Sequence, residues 1–230
     1  ITLHPQDGSG ITETVGKVIV SAAVEETVPD YKTAQEKDIP VITRAALLSE
    51  TFNATKTRIG VAGTSGKSTV TGMIGWALSC AATVKKKQPP TIVNGAVMKN
   101  FASDDAPMAS FYMGDPDIIV AEIDESDGSI AHYNPSIAVI NNIAHDHKTM
   151  EELRELFTGF AGRAEKVVLN LDNEETAAIA TALPENKKVT FSLSRAEADF
   201  CAQNIREENG ETHFDVICKS KKKPCPASLK

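Results

Sequence analysis

The sequence predicts an α/β fold, a mostly parallel sheet with flanking helices, and three observations carry that prediction. Short apolar runs and helical patterns alternate along nearly the whole chain, which is the order of repeated βα units. The apolar runs are continuous, as in PDIIVAEI at 116–123, so the strands expect cover on both faces, as in parallel sheets. The stretch RIGVAGTSGKSTVT, at 58–71, sets a glycine-rich turn between a strand and a helix, where such sheets place their anion-binding loops.

Taken in order, Lys17–Val24 (KVIVSAAV) reads as a short buried strand and Asp30–Asp38 as a helix. Pro40–Thr43 is a second short apolar run, and Arg44–Phe52 is helical. Asn53–Thr57 is polar and reads as a linker. Strand Ile59–Ala62 then leads through the glycine turn into helix Lys67–Ala82, and Lys85–Pro90, polar and turn-rich, reads as a mobile loop. Pro116–Ile123 and Ile137–Asn141 are strands, followed by helix Met150–Arg163, strand Lys166–Asn170, helix Glu174–Leu183 and strand Lys188–Leu193. The tail differs: Asp199–Glu207 and Glu211–Lys219 alternate apolar and polar residues around Asn209-Gly210, the signal of a small antiparallel hairpin. No internal repeat is visible.

A chain of 230 residues holds one large or two small domains, and 41% apolar with 24% charged residues is ordinary for a globular protein. The net charge of −7 argues against a nucleic-acid partner, which needs a basic surface. The basic runs Lys85–Lys87 and Lys219–Lys223 are short and read as solvated loops. Cys80, Cys201, Cys218 and Cys225 lack CxxC spacing, which favours free thiols in a reducing compartment. No signal peptide or long apolar span is present, so a cytoplasmic location without membrane attachment is expected. The chain opens on Ile1 rather than Met, which suggests a fragment.

Three motifs carry chemistry. Gly63-Thr64-Ser65-Gly66-Lys67-Ser68-Thr69 has the layout of a phosphate-binding loop. Glycines let successive N–H groups turn toward an anion, and the new helix adds its positive end. Lys67 can reach terminal phosphates, and the Ser68 hydroxyl can ligate Mg²⁺. Val61 stands where the general motif has its first glycine, so the loop is a shortened one. The second motif, Glu122-Ile123-Asp124-Glu125-Ser126-Asp127, ends the 116–123 strand, where an acid beside a phosphate loop can hold Mg²⁺. Strand alternation sets Glu122 and Asp124 on one side. The third, Asn141-Asn142-Ile143-Ala144-His145-Asp146-His147, follows another apolar strand and offers imidazoles and a carboxylate to a metal or phosphate. Read alone, the second motif is equally a solvated acidic loop and the third a polar helix-capping loop. Together, three strand ends converge on one edge of the sheet.

These motifs resemble those of the Mur ligase family, the ATP-dependent amide-forming enzymes of peptidoglycan precursor synthesis. GTSGKST resembles the family's GTxGK(T/S)T, AEIDESDGS its AEADESDAS, and NNIAHDH its TNIEADH. IPVITRAALLSE resembles the segment that leads from the uridine-nucleotide domain into the ATPase domain, and the likeness runs from about Lys17 to about Cys218. The resemblance implies that residues 1–53 are a remnant of a Rossmann-like UDP-sugar-binding domain. Residues 54–230 would be the central ATP-binding domain, with the carboxy-terminal ligase domain absent.

It further implies that the carboxylate of a UDP-linked muramic acid is phosphorylated by ATP and then attacked by the amine of L-alanine or a short peptide. Gly63, Thr64, Ser65, Gly66, Lys67, Ser68 and Thr69 would cradle ATP, with Lys67 on the β- and γ-phosphates and Ser68 on a Mg²⁺. Glu122 and His147 would ligate a second Mg²⁺, and Asn142 would touch the γ-phosphate or the substrate. Lys67, Glu122 and His147 would then be the catalytic set. Departures from the pattern are Ser65 for His or Asn, Val70 for Thr, Lys148-Thr149-Met150 after the His-bearing loop, and Gly162-Arg163 where some relatives have a carbamylated lysine. Alternatives are a plain ATPase module, a ligase for another carboxylate or amine, and an inactive homologue. Oligomeric state is left open.

Overall fold

Apolar residues from four separate runs meet in one sheet, and the chain between them is spent on helices that cover it. The computed structural model describes residues 2–21, 23–221 and 224–229. The chain divides into two compact units, one ending at Ala54 and one starting at Thr55.

In the first unit, β1 (Val18–Val20) pairs in parallel with β2 (Val41–Thr43), Val18 opposite Val41 and Val20 opposite Thr43. Between them lies α1 (Pro29–Glu36), and α2 (Arg44–Ala54) follows β2 directly. Proline at the start of α1 has no N–H to leave unpaired, and Asp30 in the first turn suits the helix dipole. The expected buried strand Lys17–Val24 is corrected here. Only Val18–Val20 is paired, Ile19 is 41% exposed, and the Val24 N–H turns back to the Ser21 carbonyl at 3.0 Å. A two-stranded sheet has no inner strand to cover on both faces. Ala22 of that run, and Lys222 and Lys223 of the second basic run, lie outside the described residues.

The second unit holds β3 (Thr57–Ala62), α3 (Lys67–Val84), β4 (Pro90–Val93), β5 (Phe111–Tyr112), β6 (Asp115–Glu122) and β7 (Ile137–Ile140). It continues with α4 (Met150–Arg163), β8 (Lys166–Asn170), α5 (Glu174–Ala182), β9 (Lys188–Ser192), β10 (Phe200–Glu208), β11 (Glu211–Cys218) and β12 (Cys225–Leu229). One ten-stranded sheet runs β12-β11-β10-β9-β8-β7-β3-β6-β4-β5. Pairing is parallel from β4 through β10 and antiparallel at β4–β5, β10–β11 and β11–β12. The α/β reading, with its mostly parallel sheet and terminal hairpin around Asn209-Gly210, holds.

The chain leaves β3 for β4 and β6 on one side and returns to β7 on the other, so the winding reverses at β3. That is the switch point of an open parallel sheet, where the strand ends leave a crevice. Ile59, Val61, Val120 and Val139 form the core there, with Val70 and Ile74 of α3 packed over them. Gly75 lets α3 lie close on β4, since a Cβ there would stand 2.6 Å from Ile92 Cδ1. Leu153, Phe157, Phe160 and Ala161 form the buried stripe of α4 at helical spacing. A capping box of Thr149 and Glu152 starts that helix, and the Asn173 side chain caps α5.

Some expectations fail locally. The Asn53–Thr57 linker shrinks to Thr55 and Lys56, because α2 and β3 extend into it. Helix α3 runs two residues past Ala82, and Pro90 begins a strand rather than closing a loop. Strands β4, β5 and β12 carry weak signals. One opens on proline, one has two residues, and one is an edge strand bearing Pro226, which an edge tolerates. Among the described residues, no helix is long and apolar enough to cross a membrane.

Candidate functional site

Strands β6, β3 and β7 are neighbours, and their carboxyl ends bring the three sequence motifs to one rim. At about 4.8 Å per strand spacing, the β6 and β7 ends lie roughly 10 Å apart, with the β3 end between them.

The phosphate loop leaves β3 at Gly63, whose φ of 147° suits glycine, and enters α3 through Gly66, whose φ of 78° is left-handed. Gly63 also runs hard against the next strand's exit: a Cβ there would meet the Asn142 carbonyl oxygen at 3.1 Å. No side chain caps α3. The N–H groups of its first turn, at Lys67, Ser68 and Thr69, therefore remain for an anion. The Ser68 hydroxyl has no hydrogen-bond partner among the described residues.

The loop is braced from β7. The Asn142 carbonyl accepts the Thr64 N–H at 3.1 Å. Its side-chain Oδ1 accepts from the Thr64 hydroxyl at 2.9 Å and the Ser65 N–H at 3.0 Å, and its Nδ2 donates to the Ser65 carbonyl at 2.9 Å. Asn141 Nδ2 adds a bond of 3.1 Å to that carbonyl, and the Thr64 hydroxyl accepts the Ala144 N–H at 3.0 Å. Behind them Asn173 holds both backbone groups of Ile143, each at 3.2 Å. Asn142 Oδ1 accepts two bonds from the loop and Nδ2 gives it one of two protons, which leaves one donor for the expected contact with a phosphate or substrate.

On the β6 side, Lys67 Nζ lies 3.0 and 3.2 Å from the two carboxylate oxygens of Glu125 and 3.8 Å from Asp124 Oδ1. The Glu125 side chain is only 4% exposed, against 54% for Asp124. Burial pushes the Glu125 carboxyl above its ordinary range, and the bond from Lys67 pulls against it. For Asp124 burial also acts upward, but hydrogen bonds from Ser126 and the charge of Lys67 win and hold it low. Glu125 is the residue that sequence reasoning missed. Alternation along an extended strand selects Glu122 and Asp124, but β6 stops at Glu122 and the next residues turn. Glu122 itself accepts the Gly95 N–H at 2.6 Å, which ties the exit of β4 to the same rim. A Cβ on residue 95 would stand 2.7 Å from that carboxylate, so a larger residue there would make the Glu122 side chain shift.

His147 sits in a tight left-handed turn, φ 50°, with its side chain 82% exposed and its Nε2 3.2 Å from Asp146 Oδ1. No contact joins it to Glu122 or Ser68, and among the described residues no three His, Cys, Asp or Glu side chains gather as a metal cage. The expected set Ser68, Glu122 and His147 is therefore present at one rim but not assembled. This suits Mg²⁺, which is held by one or two protein oxygens together with waters and substrate phosphates. An unpartnered hydroxyl at Ser68 and a carboxylate at Glu122 are donors of that kind. The uncapped helix start, the two left-handed-capable glycines and Lys67 fit a chain of phosphates.

Known proteins share the sequence pattern and the fold. The Mur ligase middle domain matches residues 61–229. The UDP-N-acetylmuramate–L-alanine ligase of Magnetococcus marinus is 34% identical over 223 residues, covering 93% of this chain and 44% of that protein. The chain thus spans about half the length of the curated relatives it matches. Among solved structures, the UDP-N-acetylmuramate-alanine ligase of Thermotoga maritima superposes with a TM-score of 0.76 at 20% identity, over 98% of this chain and 49% of that one. The MurF ligase of Thermotoga maritima, solved in complex with ADP, gives a TM-score of 0.61 at 18% identity, over 94% of this chain and 56% of that one. At such identities the structures speak for the fold alone, whereas the matched domain covers well over half of the sequence, and the chain belongs to the Mur ligase family.

Proposed function

We propose that this chain is the nucleotide-binding part of an ATP-dependent ligase of cell-wall precursor synthesis. It would act in the cytoplasm, joining the carboxylate of UDP-N-acetylmuramic acid to the amine of L-alanine or a short peptide. One observation carries the reading: a glycine loop, an uncapped helix start and Lys67 share a rim with Glu122 at the sheet's switch point. The Magnetococcus marinus relative, named for the muramate–alanine reaction, supports the choice of substrates. Residues 1–53 are read as part of a UDP-sugar-binding domain and residues 54–230 as the ATP-binding domain.

When bound, ATP and Mg²⁺ supply the phosphoryl group and the charge neutralisation that activate a carboxylate toward an amine. The residues supply positioning. Gly63 and Gly66 bend the chain so that the N–H groups from Gly66 to Thr69 can face phosphate oxygens. Lys67 gives its ammonium to the β- and γ-phosphates, and Ser68 its hydroxyl to one Mg²⁺. Glu122 and His147 offer a carboxylate and an imidazole to a second. Asn142 acts through the loop, by fixing Thr64 and Ser65.

The test is a phosphate-release assay with MgATP, UDP-N-acetylmuramic acid and L-alanine. It is run on the chain alone and on the chain joined to the parts of the Magnetococcus marinus relative that flank the matched region on both sides. The chain alone should bind nucleotide weakly without turnover. The joined protein should release phosphate only when both acceptors are present, and Lys67→Ala should abolish that release. Acceptor-independent hydrolysis would overturn the reading in favour of a plain ATPase.

A further inference from the structure

We propose that Glu125 is a positioning residue for Lys67, holding the ammonium at the mouth of the phosphate loop so that it meets nucleotide phosphates while still paired. The inference rests on the nucleotide reading above. It starts from a carboxylate that is buried, as described, with both oxygens on Lys67 Nζ and with the Glu125 backbone N–H as a further donor.

The carboxylate is not free to follow a moving lysine. The Glu125 carbonyl accepts the Gly128 N–H at 3.1 Å, closing a turn in which Gly128 is left-handed with φ 78°. Asp124 Oδ1 accepts the Ser126 N–H at 3.0 Å, and Asp127 Oδ1 accepts the Ser129 N–H at 2.8 Å. The Ser129 hydroxyl reaches the Asp124 carbonyl at 3.4 Å. The backbone on both sides of Glu125 is thereby set.

Two responses to an arriving phosphate are open to Lys67. It can leave Glu125, or it can stay. Leaving strands a buried carboxylate without its counter-charge, a penalty larger than one new phosphate contact returns. Staying costs little, because an ammonium has three donors and Glu125 occupies two. The third is left for a phosphate oxygen, and Glu125 decides where it points. Asp124, farther away and half in water, contributes little to the hold.

Simple charge repulsion makes the opposite prediction, since removing a carboxylate near a phosphate site should tighten anion binding. The test is binding of fluorescent N-methylanthraniloyl ATP with Mg²⁺ to the 230-residue chain, read by anisotropy. The proteins are wild type, Glu125→Ala, Glu125→Gln, Lys67→Ala and the Lys67→Ala/Glu125→Ala pair, with thermal melts confirming that each is folded. Glu125→Ala should weaken binding about tenfold, the scale of one charge-assisted contact. Glu125→Gln keeps an acceptor oxygen in place and should recover most of that loss. In the Lys67→Ala background, Glu125→Ala should add no further loss. Equal or tighter binding by Glu125→Ala overturns the inference, and so does an undiminished loss without Lys67. A wild-type chain that fails to bind the probe sinks the nucleotide reading and this inference with it. Binding that needs Lys67 but ignores Glu125 sinks the inference alone.

Discussion

Replacing Asn142 by alanine tests whether this side chain holds the phosphate loop or waits for a ligand. The substitution removes three hydrogen bonds of 2.9, 3.0 and 2.9 Å to Thr64 and Ser65, one part-buried and two exposed. An intramolecular hydrogen bond contributes about 0.5–1.5 kcal/mol net, and exposed ones fall at the low end because water replaces them. The sum is about 2 kcal/mol. The backbone bond from Thr64 to the Asn142 carbonyl survives the change and limits the loss. For a unit of this size, 1 kcal/mol shifts the melting temperature by about 2–4 °C, so Asn142→Ala should melt about 4–8 °C lower. Calorimetry without nucleotide is the assay, since no ligand then contributes. Asn142→Asp separates the terms further. It keeps acceptors for Thr64 and Ser65 but replaces the donor to the Ser65 carbonyl with an oxygen, so its melting point should fall between the other two. An unchanged melting temperature in Asn142→Ala, accompanied by lost nucleotide binding, would refute the bracing argument and return Asn142 to direct ligand contact.

Two further outcomes follow from packing and charge. Gly75→Ala gains about 1 kcal/mol of helix propensity, but its Cβ meets buried Ile92 at 2.6, 3.1 and 3.2 Å. Net destabilisation of about 1–2 kcal/mol is expected in denaturant titration, and adding Ile92→Val, which deletes the nearest atom, should restore part of it. Burial raises the Asp172 carboxyl, but hydrogen bonds from Ser192, Ser194 and the Leu193 N–H outweigh it and hold it below its ordinary value. A depressed carboxylate stabilises the fold above its unfolded pKa of about 3.9 and loses that contribution as pH falls through the folded value. Asp172→Asn should therefore melt below wild type near pH 7, with the gap closing below about pH 4.

Much of the fold could be read because its elements are locally consistent. Helix α4 and strand β8 fall on the predicted boundaries because their signals agree. Thr149 and Glu152 make a capping box, Leu153, Phe157 and Phe160 sit at helical spacing, and Lys166–Asn170 is a β-branched run between turns. What escaped prediction is held by neighbours rather than by its own pattern. Strand β4 is four residues that gain a place by pairing with β6, and β5 is two residues that pair with β4. Strand β12 exists because β11 offers it an edge. In the first unit the apolar run after Val20 had no second sheet neighbour to pair with, and the chain turns instead.

The site was legible as far as strand ends are legible. A sequence locates the point where an apolar strand stops, and three such points, at Ala62, Glu122 and Ile140, were enough to expect one rim. It does not say what the chain does in the three residues after the stop. Period-two alternation fails once pairing ends, so it sets Asp124 beside Glu122 and does not single out Glu125, although it is Glu125 that is buried on Lys67. The same limit explains Asn142 and His147. Both lie past the end of β7, and their side chains follow the turn. One folds back onto Thr64 and Ser65 while the other points to water beside Asp146. The asymmetry has a physical consequence for the order of events. Loop bracing and the Lys67–Glu125 pair are made by the chain itself, so the proposed phosphate recognition draws on groups that the fold positions. Joint use of Glu122 and His147 needs rearrangement, because their strand ends are roughly 10 Å apart and Mg²⁺–oxygen bonds are about 2.1 Å. On the proposed reading the phosphate half of the site is held by contacts within the chain, and the metal half would be completed by what binds.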